Sequence, residues 1–132
     1  MKLLRWVLYL EAAELLVWAV VAGLFPSWLT ETLLDQPPMS GYGWVRMSAV
    51  QAFGFAVMYA LVAAQVETRW WFAWAFVITA AGIAAVALLT ALSGLLDDVS
   101  PRLWLTVTVA AAVNAAALLV GLAKTGLERP AT

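Results

Sequence analysis

The chain has 132 residues, of which 65% are hydrophobic and only 11% charged, with a net charge of -1 and a mean hydropathy of +0.93. Water-soluble chains do not reach those values, so the sequence reads as an integral membrane protein. With no cysteine and no histidine, disulfides, imidazole-ligated haem, Cys or His metal sites and a histidine-assisted nucleophile are excluded, and the lack of a basic run excludes a nucleic-acid partner.

A bilayer-crossing helix needs about 20 largely apolar residues, and four stretches meet that requirement. The first covers residues 3–25 and stops at Pro26, which cannot continue a helical hydrogen-bond ladder. Lys2 and Arg5 ahead of an apolar run also suit a cleaved signal peptide, but Glu11 and Glu14 inside the run argue against it, because a signal-peptide core is apolar. The connection 26–43 is the only long one. In it Ser27 can cap a short interfacial helix over 27–35, with Trp28, Leu29, Leu33 and Leu34 toward the membrane and Thr30 and Glu31 toward water, before Pro37 and Pro38 end it. An irregular loop is the alternative. The second crossing covers 44–65 and the third 70–93, joined by the tight turn Val66–Arg69. A break over 94–101, carrying Asp97 and Asp98, precedes the fourth crossing at 103–123 and a short polar tail.

The expected fold is therefore an all-α, integral membrane four-helix up-down-up-down bundle, one domain over residues 1–132. Basic residues accumulate on the cytoplasmic side of membrane helices. Lys2, Arg5, Arg69, Lys124 and Arg129 fall on one side and Arg46 and Arg102 on the other, which predicts both termini in the cytoplasm. Trp6, Trp28, Trp44, Trp70, Trp71 and Trp104 fall at predicted helix ends or on the surface helix, where an amphipathic ring sits among headgroups. A tryptophan-lined cofactor box is the alternative reading of the same residues.

In lipid, small residues repeated on one helix face mark close contacts. Such stripes are Ala49, Ala52, Ala56, Ala60 and Ala63 in the second crossing, and Ala73, Ala80, Ala84, Ala87, Ala91 and Gly94 in the third. The fourth carries Thr106, Ala110, Asn114, Ala117 and Gly121.

Glu11 and Glu14 are the central observation, because residues three apart share a helix face and both lie within about 5 Å of the middle of the first crossing. An ionisable side chain at that depth costs about 3 kcal/mol even on the gentler scales, and should face the bundle interior or a wet cavity. Two such carboxyls do not readily both ionise, so one is expected to keep its proton. Asn114 lies at the same height on the fourth crossing. Tyr59 and Gln51 lie either side of the midplane on the second, where Gln51, Met58 and Gln65 recur at intervals of seven as a stripe about the bundle axis. Arg46 is the nearest basic residue; snorkelling carries it outward, whereas a second helix beginning near Tyr42 would let it pair with Glu14. Three readings of the acids stay open: hydrogen bonds that fix helix register, an outward face that meets a basic group on another subunit, and a ligand or proton site. No metal site is expected.

The chain resembles the DoxX-like group of small four-helix bacterial membrane proteins. The resemblance rests on the first helix closed by Pro26 in "GLFPSWL", Arg46 opening the second in "WVRMSAVQAFGFAVMYALVAA", the alanine-rich third helix, and Asn114 midway along the fourth in "VAAAVNAAALL". It implies a membrane subunit located in the bacterial inner membrane, since named members are associated with quinone-linked oxidoreductase complexes. Glu14 in "YLEAAELLVW" also resembles the first-helix glutamate of the small multidrug resistance antiporters, which exchange protons for cationic drugs. The leading expectation is a non-enzymatic membrane protein. It would act as an accessory subunit of a membrane complex, or as a binder of a small hydrophobic molecule such as a quinone or lipid at the Glu pair. It has no required cofactor, and its partners would be membrane lipid and a protein partner or a second copy. A proton-coupled antiporter using Glu14 is the alternative.

Overall fold

The computed structural model describes residues 1–96 and 100–128. Four long helices dominate it: α1 Lys2–Leu24, α2 Gly43–Ala64, α3 Ala73–Leu96 and α4 Arg102–Glu128. All four are long and apolar enough to cross a membrane, and no strand occurs among the described residues. Asp97, Asp98 and Arg129 lie outside the described residues.

Two boundaries differ from the sequence expectation. The polar stretch before α3 is itself helical, with a turn at Val66–Arg69 and a tighter one at Trp70–Phe72 leading into α3. α4 runs past Ala123, because Lys124 and Thr125 do not interrupt a ladder. Thr125 Oγ1 donates back to the Gly121 carbonyl at 2.9 Å and buries its hydroxyl without leaving the helix.

The short interfacial helix is a single wide turn, Trp28–Leu33, closed by the Leu34 N–H donating to the Leu29 carbonyl, five residues back. Ser27 makes no capping bond. The wider turn puts Leu29 and Leu34 on one buried face and leaves Trp28 and Leu33 exposed. Thr30, expected to face water, is buried, because its hydroxyl donates to the Pro26 carbonyl at 2.9 Å and so carries no unmet polar demand inward. Asp35, at φ 54°, turns the chain out of this segment; Asp is among the few side chains that tolerate the left-handed region.

The helices pack as two antiparallel hairpins, α1 with α2 and α3 with α4, and the hairpins join chiefly along α1 and α4. A large apolar core fills the end that holds Met1, drawing Leu4 and Leu8 from α1, Tyr59 and Val62 from α2, Phe76 from α3 and Leu118 from α4. There α2 meets α3 through the Tyr59 and Phe76 rings, stacked 3.9 Å apart at 15°. A smaller cluster of Ala22, Leu29, Leu34 and Ala49 seals α1, the wide turn and α2 at the far end, with Leu103 of α4 packed against it. The alanine stripes of α2 and α3 are buried or half-buried. In α4 the buried face is Ala111, Ala115, Leu118 and Leu122, so the stripe of Thr106, Ala110, Asn114 and Ala117 lies on its edge. Gly121 closes that stripe at a close approach to α1: a Cβ there would lie 3.1 Å from the Leu4 Cα.

Polar ties fasten both ends. Arg5 pairs with Glu67, and its Nε donates to the Ala63 carbonyl at 3.2 Å, placing a cation on the unsatisfied carbonyl end of α2. At the far end the Tyr42 hydroxyl donates to Glu31, and Gln36 Nε2 donates to the Ser100 carbonyl at 3.3 Å, fastening the first connection to the approach to α4.

Candidate intramembrane acid site

Glu11 and Glu14 share a face of α1 but have different surroundings. Glu11 looks into the core at the Met1 end and is 4% exposed. Both of its carboxyl oxygens are buried without a hydrogen-bond partner. The Tyr59 hydroxyl stands beside them, at the margin of hydrogen-bonding geometry. Tyr59 is fixed by its stack on Phe76 and by burial on the α1-facing side of α2, so its hydroxyl is held at this height.

Glu14, one turn along, is exposed. It sits where α1 meets α4, and Asn114 Nδ2 donates to its Oε1 at 3.3 Å. Asn114 is half-buried on the edge stripe of α4. Glu11 with Tyr59 in the core, and Glu14 with Asn114 at the surface, thus place two polar pairs near the middle of α1. They offer oxygen acceptors in excess of donors, and no basic group among the described residues reaches them.

Arg46 and Gln51 do not join this group. Arg46 is exposed in the first turn of α2 and forms no ion pair with Glu14 among the described residues, although α2 begins at Gly43 as that pairing requires. Gln51, Met58 and Gln65 are all exposed, so the stripe they form runs along the outside of the bundle and not about its axis. The buried face of α2 is taken by Ala49, Ala52, Ala56 and Ala63, whose small size lets α1 approach.

Sequence reasoning overlooked two polar contacts. Trp18 Nε1 donates to Ser48 Oγ at 3.4 Å between α1 and α2, and Arg5 anchors Glu67 and the α2 terminus. The available signal for the second was Arg5 lying inside the first crossing instead of ahead of it.

The better-formed cavities lie away from the acids. One, of about 400 Å³, is an apolar groove between α3 and α4 lined by Ile78, Gly82, Val86 and Trp104; another, of about 250 Å³, lies along α1 at Leu16, Val17, Val20 and Val21. No family model matches the chain, and no curated protein and no solved structure matches it significantly.

Proposed function

We propose that this chain is a non-enzymatic accessory subunit of a bacterial inner-membrane assembly, docking on a neighbouring membrane helix along the α1–α4 seam. The observation that carries this reading is the exposed Glu14 near mid-crossing, held by Asn114 and offering acceptor oxygens on the outer surface of a bundle. A carboxyl facing hydrocarbon is costly, and a partner helix presenting an N–H donor at that depth removes the cost. The DoxX-like resemblance points to the same class of role. A quinone or lipid seated at Glu11 is less well supported, because that carboxyl is enclosed on all sides. The cluster of Lys2, Arg5, Arg69 and Lys124 toward one end supports a cytoplasmic position for both termini.

Because the chain contains no cysteine, single-cysteine crosslinking in native membranes tests the reading directly. Leu10 lies one turn from Glu14 on the same face and is exposed, whereas Val57 is exposed on α2. Leu10→Cys should give one discrete crosslinked species and Val57→Cys none. If Leu10→Cys stays monomeric throughout, the docking face is not there.

A further inference from the structure

Docking along the seam requires a donor at Glu14 but does not by itself fix the donor's charge. Asn114 Nδ2 occupies one carboxyl oxygen at 3.3 Å. Among the described residues Glu14 accepts no second hydrogen bond and pairs with no cation. Arg5 of the same helix is engaged by Glu67 and the Ala63 carbonyl at the Met1 end. The surface around the carboxyl suits a helix. The apolar groove of about 250 Å³ at Leu16, Val17, Val20 and Val21 begins within one turn of Glu14. Across the seam, half-buried Ala110 and Ala117 stand one turn either side of Asn114, and small side chains let the backbone of a neighbouring helix come close.

We propose that the docking helix carries an arginine near the middle of its own crossing, and that this guanidinium pairs with Glu14. The inference rests on the docking reading and names its partner. Charge complementarity selects a cation. A carboxylate and a guanidinium are each costly alone at that depth, and pairing is the usual way such groups persist there. A hydrogen bond between ionised groups is also about twice as strong as a neutral one. Arginine is favoured over lysine because a guanidinium keeps its charge in apolar surroundings, where an ammonium readily gives up its proton. Its fork donates through several N–H groups, so it takes the Glu14 oxygen that Asn114 leaves open without displacing the amide. A lipid acyl chain fits the groove beside Val17 and Val20 but brings no donor to the carboxyl.

The test uses the purified protein in phospholipid vesicles, with synthetic transmembrane peptides as the probe. Each peptide is a leucine–alanine helix of about 20 residues with arginine, glutamine or leucine at its centre and an acceptor fluorophore at one end. The donor fluorophore sits on Val57→Cys, exposed on α2, in a chain with no other cysteine. The arginine peptide should give saturable energy transfer and bind about tenfold tighter than the glutamine peptide. The leucine peptide should give only the transfer of random mixing. Glu14→Gln should weaken the arginine peptide to the level of the glutamine one. Equal binding of the arginine and glutamine peptides would overturn the arginine partner and leave docking through a neutral donor standing. Arginine-peptide binding that survives Glu14→Gln would overturn it too, as would transfer no greater than the leucine peptide gives. If Glu14→Gln does not fold, the three peptides on the unsubstituted carboxyl decide. Leu10→Cys crosslinking in native membranes reports on docking whatever the donor, so a positive crosslink beside an arginine peptide that fails to bind separates the two failures.

Discussion

Asn114 of α4 donates a hydrogen bond to Glu14 of α1 across 100 positions of chain, at 3.3 Å, on the seam where the two hairpins meet. This bond ties the first and fourth helices near the middle of both. Its strength is nonetheless limited. Interhelical polar contacts in membranes average about 0.6 kcal/mol, because the unfolded chain in lipid also finds partners.

Asn114→Ala should therefore lower the stability of the isolated protein by no more than about 1 kcal/mol, measured by reversible unfolding in mixed micelles. It should weaken Leu10→Cys crosslinking far more than it weakens the fold. A loss of several kcal/mol in the isolated protein would mean that the pair exists to hold the bundle together.

Gly121→Val should force α4 away from α1, since even a bare Cβ would press on the Leu4 Cα, a backbone atom that cannot swing aside. Overpacking of this kind costs about 1 to 3 kcal/mol. A variant as stable as the parent would show that the seam is looser than this contact implies.

Replacing Arg5 by Gln removes both the Glu67 pairing and the cation on the Ala63 carbonyl. The pair lies at the exposed end of the bundle, so the expected loss is small and should shrink with added salt. Hydrogen exchange at Gln65 to Arg69 should speed up more than exchange in the middle of α2. Uniform exchange along α2 would argue against a capping role.

Glu31 accepts a hydrogen bond from the Tyr42 hydroxyl and thereby holds that phenol above its usual value, with desolvation adding to the effect. A group raised in the folded state contributes stability that is fully present below its unfolded value, about 10 for tyrosine, and is lost as pH rises through the folded one. The far-end connection should loosen in strongly alkaline solution, seen as proteolytic access around Pro37 and Pro38. Tyr42→Phe should already be loose at neutral pH and show no further alkaline step. An alkaline step that survives Tyr42→Phe would assign the transition to another group.

The four crossings were legible because hydropathy and length constrain them jointly: α1 and α2 start and stop within a residue of the expected positions. Which faces turn inward was legible only in part. In lipid the outward residues are as apolar as the inward ones, so the amphipathic signal that orients a soluble helix fades. Small residues substitute for that signal in α2 and α3. On α4 the stripe of small residues marks the edge next to α1 and not the packed face, and on α2 the seven-residue recurrence of Gln51, Met58 and Gln65 gave a real stripe with the wrong orientation. The equal height of Glu14 and Asn114 could be counted from the ends of their helices. The separation of Glu11 from Glu14 into core and surface could not, because two side chains on one face diverge only when neighbours press against one of them.

The joining of the hairpins along α1 and α4 bears on how the protein is made. A ribosome delivers α1 to the bilayer long before α4, so Glu14 must wait in the membrane for its amide partner until synthesis has passed residue 114. A nascent or truncated chain therefore carries a Glu14 carboxyl without the hydrogen bond it accepts from Asn114 in the finished fold.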